Sequence, residues 1–325
     1  MNLFLFLVGC REPAPEDAGV SEDSGTGDTA GQPEAPPDAL VYVIERYEGT
    51  LYALDRATAE IRWQRDDLPP TVGLAVDGEG FIYLAATDTD DVGSLMRVSP
   101  DGASVEQLVP PDGTLLRPQG LWYDAHTDTV LLADVNAARV YEVWLDDLSL
   151  TVLTDAVPEP SDAARRPGED TLYVSSRSEG RLYVVDSSGS GTPLAGSVPD
   201  AHSIIPGPDG VVYVMASGLN ALVSIAEESG EATELAAHFS SAPAVGLCID
   251  PWPGGLMVTD HGGHTMHHYD LAAGTTSPFF KSDWDLYECG HSVPPDSDGD
   301  GWISTAHAGT DCDDQDAAVF PGQGC

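Results

Sequence analysis

The densest concentration of reactive side chains is a run of carboxylates in the C-terminal part of the chain. Asp296, Asp298 and Asp300 occupy positions 1, 3 and 5 of a segment that continues with Gly301 and, at position 8, Ile303. Alternate Asp side chains can converge on one cation while the glycine permits a sharp turn, and hard oxygen ligands select Ca²⁺. Position 12, where an EF-hand carries a bidentate Glu, is His307, so the remaining carboxylates must come from Asp311, Asp313, Asp314 and Asp316. The plainer alternative is an acidic solvated tail, against which the fixed spacing and the glycine turn argue. A second concentration is imidazole: His202, the run Asp260-His261-Gly262-Gly263-His264, and His291. Three of these histidines, His202, His261 and His291, with nearby carboxylates would hold Zn²⁺ or another transition metal and leave a position open for water, provided the fold brings them together.

Other chemistries are excluded or unsupported. The chain has 13 Lys and Arg against 54 Asp and Glu, a formal net charge of −41 in 325 residues. Nucleic-acid binding by phosphate neutralisation needs a basic face, and this chain would be repelled. Lys281 is the single lysine and follows no glycine-rich loop. No G-x-S-x-G elbow, H-E-x-x-H or P-loop occurs. Acid pairs are so abundant that none singles out glycosidase chemistry.

The elements that must position these residues recur with a period. Apolar β runs centred on Tyr42, Tyr83, Leu131, Tyr173, Tyr213, Met257 and Ile303 are spaced 41, 48, 42, 40, 44 and 46 residues apart. A second run follows each of the first six, at Tyr52, Met96, Tyr141, Tyr183, Val223 and His267, with offsets of 10, 13, 10, 10, 10 and 10 residues. Such a period belongs to propeller blades, and the 34 Gly and 25 Pro suit a turn-rich all-β chain. Before each strong strand from the second onward lies a shorter one, as in GLAVDGEG, GLWYDAHTD, HSIIPGPDG and GLCIDPWPGG. These phrases resemble the NHL and streptogramin-lyase-like propellers over residues 39–295, a likeness that is specific for architecture and not for activity.

The first blade opens on its second strand, and His291-Ser292-Val293 offers a lone innermost strand to complete it. The expected fold is therefore a six-bladed β-propeller with no open edge; a seven-bladed ring using Trp302 to Thr305 is the competing closure. In a propeller, the loops leading into innermost strands and those leaving second strands share one face. His202 and His291 are expected at the first of these, with Gln119 and Asp162 nearby, and Asp134, Asp260, His261, His264 and, as a further candidate, His307 at the second. The resemblance to lyase-type propellers, which carry His in this region, extends to His202, His261 and His291. The plainer reading is a polar, water-filled channel mouth. His267 reads as packing, and Tyr83, Tyr173 and Tyr213 as core.

Both flanks read as separate modules. Residues 2–8, NLFLFLV, are too short for a membrane span, and Leu7-Val8-Gly9-Cys10 resembles the lipobox of bacterial lipoproteins. That resemblance implies a signal peptide over 1–9, a lipidated Cys10 and a chain anchored to the bacterial envelope on its outer side. Residues 10–38, with eight acids and no aromatic residue, form the expected disordered tether. The tail, residues 296–325, with DSDGDG, DCDD and PG, resembles a metal-binding motif family of myxobacterial and methanotroph surface proteins. With Cys10 assigned to lipid, four cysteines allow three pairings. Cys248 with Cys289 and Cys312 with Cys325 keeps each bridge within one local unit; free structural thiols are the other option.

The functional expectation is a non-catalytic binding or scaffold protein for a protein, peptide or glycan, carrying a Ca²⁺ site in its tail. The alternative is a metal-dependent lyase or hydrolase using the histidines of the channel mouth.

Overall fold

The structure, a computed structural model, describes residues 39–291 except 89–91, 167, 168, 195, 208, 209, 238, 240–243, 251–254 and 284, with the backbone only at 244, 245, 247–250 and 291. Cys10, the tether, Cys312, Cys325, His307 and all seven tail aspartates lie outside the described residues.

The described residues form strands and turns. In chain order the strands are β1 (Leu40–Glu45), β2 (Thr50–Asp55), β3 (Ile61–Arg65), β4 (Thr71–Val76), β5 (Ile82–Thr87), β6 (Gly93–Val98), β7 (Val105–Val109) and β8 (Pro118–Asp124). There follow β9 (Thr129–Asp134), β10 (Arg139–Trp144), β11 (Leu150–Thr154), β12 (Pro160–Arg165), β13 (Leu172–Ser176), β14 (Arg181–Val185), β15 (Gly191–Pro193) and β16 (Ala201–Gly207). The last are β17 (Val211–Ala216), β18 (Ala221–Ala226), β19 (Ala232–Ala237), β20 (Ala244–Asp250), β21 (Gly255–Asp260), β22 (Thr265–Asp270), β23 (Thr275–Lys281) and β24 (Leu286–His291). They make six four-stranded antiparallel sheets: five of consecutive strands and one ordered β24-β1-β2-β3. The ring thus closes with six blades.

The closing strand differs from its expected position. It is Leu286–His291, with His291 opposite Val41 and Leu286 opposite Glu45, so it ends where the expected strand was to begin. Burial decides this: Leu286 and Cys289 pack between the first and sixth blades, and Tyr287 between the first and second. A strand starting at His291 would leave these apolar side chains in a loop.

The core is divided in the same way. Six clusters of buried side chains each join two adjacent blades, for example Tyr42, Ile44 and Leu51 with Val72, Leu74 and Leu84. The periodic tyrosines sit within this packing: Tyr83 and Tyr173 are 1% and 2% exposed, and the Tyr83 hydroxyl donates to Asp77 Oδ2 at 2.9 Å. Turn aspartates explain part of the acidity, because they cap the backbone locally. Asp55 Oδ1 accepts from the N–H groups of Ala57 and Thr58, Asp77 Oδ1 from Glu79 and Phe81, and Asp186 Oδ1 from Ser188 and Ser190.

Candidate functional site: the channel mouth

Each innermost strand breaks register immediately after its first residue. The bulges fall at Val72, Gln119, Ser161, His202, Val245 and Tyr287 in β4, β8, β12, β16, β20 and β24. A bulge re-aims side chains at the end of a strand, and here six of them ring the mouth of the channel. The next residue in each strand is Gly73, Gly120, Asp162, Ser203, Gly246 or Glu288, so three blades keep the glycine of the repeated phrase and three replace it with a polar residue. The glycines make room. A Cβ at Gly120 would lie 2.0 Å from Asp162 Oδ1, one at Gly246 2.9 Å from Glu288 Oε1, and one at Gly73 1.8 Å from the Gln119 carbonyl.

The polar replacements form a buried layer just inside the mouth. Ser203 Oγ donates to Glu288 Oε2 at 2.9 Å, spanning from β16 to β24 past the intervening β20. Asp162 accepts from the backbone N–H of Ala163 (2.9 Å) and of Ile204 (2.8 Å). Burial nevertheless dominates and pushes its carboxyl up to about 7, the two backbone donors only partly offsetting it.

Above that layer stands Tyr287. Its ring packs edge-on against both His202 and His261, with centroids 5.7 Å apart in each case, and its hydroxyl lies 3.3 Å from His202 Nε2. His202 is 3% exposed, and burial, then the charge of Arg177, lowers its pKa to about 3, so the imidazole is neutral. Burial also raises the Tyr287 hydroxyl, against the pull of Arg46, Arg177 and Arg117. The Arg46 guanidinium lies over the Tyr287 ring at 4.7 Å and over the Tyr47 ring at 5.0 Å. Asp285 lies 3.5 Å from His261 and 3.3 Å from His264, and its charge opposes the burial that lowers the pKa of His261. Beside this group is a cavity of ≈ 340 Å³ lined by Glu45, Tyr47, Glu48, His264, Asp283 and Asp285.

The structure therefore brings His202 and His261 to one tyrosine but does not place His291 with them. Tyr287 takes the position expected for His291, whose backbone stands four residues further along β24. That is about 13 Å in an extended strand, well beyond the reach of shared ligation. Among the described residues, no group of three or more His, Cys, Asp or Glu is arranged to hold a metal ion. Asp134 proves architectural: fully buried, it accepts from the N–H groups of Leu116, Arg117 and Ala137 and so fixes the loop leading into β8. His267 packs against Phe239, with ring centroids 5.5 Å apart, as its place on β22 suggests.

Sequence reasoning missed Tyr287 and the arginines. A positional signal existed: Arg46, Arg177 and His261 are each the first residue after a second strand, following β1, β13 and β21.

No family model and no curated protein matches this chain. Solved structures do. A chain of a nidogen/laminin complex is similar with a TM-score of 0.65 at 16% identity, covering 78% of this chain and 98% of the other. Virginiamycin B lyase from Staphylococcus aureus gives 0.51 at 14% identity, covering 75% and 85%. A catalytically inactive histidine variant of that lyase with quinupristin gives 0.51 at 14%, covering 74% and 84%. The likeness is one of fold. It agrees with the NHL and streptogramin-lyase-like phrases of the sequence, and it spans proteins named for binding and for catalysis.

Proposed function

We propose that this chain is a ligand-binding propeller held outside the cytoplasm, with the channel mouth as its recognition face. The observation that carries this reading is how the mouth is divided. The histidine best placed for proton transfer, His202, is sealed beneath Tyr287 and held neutral, whereas the groups that meet solvent are of recognition type: Tyr47 at 61% exposure, with Arg46, His264 and Asp285 around it. Aromatic rings and guanidinium groups are the side chains that most often anchor a bound partner. Native mass spectrometry of the protein purified from its own host should show a retained ligand that is lost in Tyr47→Ala and His264→Ala. Retention unaffected by both substitutions would overturn the assignment of this face.

The flanking modules complete the proposal: Cys10 as the lipidated residue, residues 11–38 as tether, and Asp296, Asp298, Asp300, Asp311, Asp313, Asp314 and Asp316 as a Ca²⁺ site. Support for an oxidising location comes from Cys289, which we read as one half of a disulfide. Its Sγ lies 3.9 Å from the Met257 carbonyl, and Met257 is the register partner of Cys248. Cys248–Cys289 is therefore the bridge we assign, and Cys312–Cys325 the companion bridge of the tail. Peptide mapping without reduction should recover the Cys248 and Cys289 peptides linked; a Cys289 peptide linked elsewhere refutes the pairing. Calcium should raise the melting temperature of the full chain, and Asp298→Asn should weaken that response; an unchanged melting curve removes the calcium site.

The second reading, catalysis, is favoured by the His202–Tyr287 contact at the mouth of a fold shared with a lyase. Turnover of an ester or lactone that disappears in His202→Gln would establish it over simple binding.

A further inference from the structure

The mouth of this strongly acidic molecule is arginine-rich. Three of its 13 basic residues, Arg46, Arg117 and Arg177, lie close enough to Tyr287 for their charges to act on its hydroxyl, and they arrive from three different blades. Arg177 is paired with Asp200 at 2.8 Å. Among the described residues, Arg46 and Arg117 have no carboxylate within ion-pair distance, in a chain where carboxylates outnumber basic groups fourfold. Of the nearby acids, Asp285 faces His261 and His264, Glu288 bonds to Ser203 and Glu45 to Ser282, while Glu48 and Asp283 line the adjoining cavity. Asp134 holds the Arg117 backbone, not its guanidinium.

Two independent features motivate a ligand at this place. The Arg46 guanidinium lies over the rings of Tyr47 and Tyr287, 5.0 and 4.7 Å from their centroids, contacts that restrain it and use none of its N–H donors. Gln119, the bulge residue of β8 and so the register equivalent of His202 and Tyr287, is 1% exposed, yet neither Oε1 nor Nε2 has a hydrogen-bond partner in the protein. Leaving both ends of a buried amide unpaired is costly unless something at the mouth bonds to it.

We propose that the mouth is an oxyanion-binding site, in which Arg46 and Arg117 take a carboxylate or phosphate group above Tyr287 and the Gln119 amide completes the contact. The proposal rests on the mouth being the recognition face and names the chemistry of what is recognised. A guanidinium fork matches either oxyanion in two parallel hydrogen bonds. Because the field of the whole molecule repels anions, binding depends on these contacts and not on long-range steering, so it should tolerate salt better than a steered encounter does.

The test is calorimetric titration of the full chain with succinate and, separately, inorganic phosphate, at constant ionic strength maintained with chloride. Saturable binding of either supports the site, and the preferred probe distinguishes a carboxylate from a phosphate ligand. Arg46→Gln and Arg117→Gln should each weaken binding at least about tenfold, while Arg139→Gln, on the exposed edge of β10, should leave it unchanged. Gln119→Leu carries a signature that a merely structural residue lacks: weaker anion binding together with an unchanged or higher melting temperature of the free protein. Binding of neither anion, or equal binding in both mouth variants, overturns the proposal. If the host ligand is still retained and still lost in Tyr47→Ala, the recognition face survives and only its anionic character falls.

Discussion

A carboxyl group that is fully enclosed yet bonded by two backbone N–H groups is pulled in opposite directions, and at Asp162 enclosure prevails. Its pKa rises on folding from the usual carboxylate value, 3.8, to about 7, so the folded chain holds a proton that the unfolded chain releases. The stability this contributes is complete below pH 3.8 and declines as pH rises through 7. Asp162→Ala removes the acceptor of the Ile204 and Ala163 N–H groups and should cost about 1–3 kcal/mol near pH 4. The cost should shrink, and approach zero, above pH 7, because the charged wild-type carboxylate then carries its own penalty. Urea unfolding at both pH values checks this, and a cost that grows with pH contradicts it. His202 has the opposite sign. Lowered from 6.5 to about 3, it contributes stability above pH 6.5 that is lost as pH falls toward 3. His202→Gln should therefore flatten the acid side of a melting-temperature profile. Neither shift was legible in the sequence, where Asp162 and His202 were recognised by position but not by environment. Burial at a channel mouth depends on residues from three or four blades at once, and no local window contains them.

At the scale of the strand, the repeated phrase conveyed more than a period. Its glycine marks the position after the bulge, where a neighbouring blade comes too close for a Cβ. Gly120→Ala should destabilise by about 1–3 kcal/mol, because the new methyl overlaps Asp162 Oδ1, whereas Gly78→Ala, with nothing within 4 Å, should change little. Comparable losses for the two would show that the glycine phrase reflects turn flexibility and not clearance. The strand positions themselves were readable because the second and third strands follow one another at an offset of 10 residues in five of six blades, with an apolar centre in all but the His267 strand. The closing strand was misplaced for an instructive reason. His291-Ser292-Val293 copies the spelling of His202-Ser203-Ile204, but spelling is a local property, and register is set by which side chains fill the wedges between blades. Leu286, Tyr287 and Cys289 fill them.

For the molecule as a whole, the −41 charge was the first property available, and it masks an internal contrast. Many of the acids cap turns, and at the mouth Arg46, Arg117 and Arg177 gather around Tyr287 among the carboxylates that line it. Whole-chain charge could exclude nucleic acid, but it could not disclose that arginines far apart in sequence meet around one tyrosine. Closure is the other whole-molecule property. Without β24, β1 would present an unpaired edge. A chain ending after Asp285 should lose cooperative thermal unfolding and associate in solution, measurable by scanning calorimetry and light scattering; a monomer with an unchanged transition would show that β24 is dispensable.

The pairing of β24 with β1 also sets a schedule. Arg46 and Tyr47 emerge early in synthesis, Tyr287 only when nearly all of the propeller has been made, and the mouth requires all three. A partly synthesised chain lacks Tyr287, and with it the contacts to His202, His261 and Arg46 at the mouth. The mouth is thus completed at a single late moment, the one at which the ring shuts.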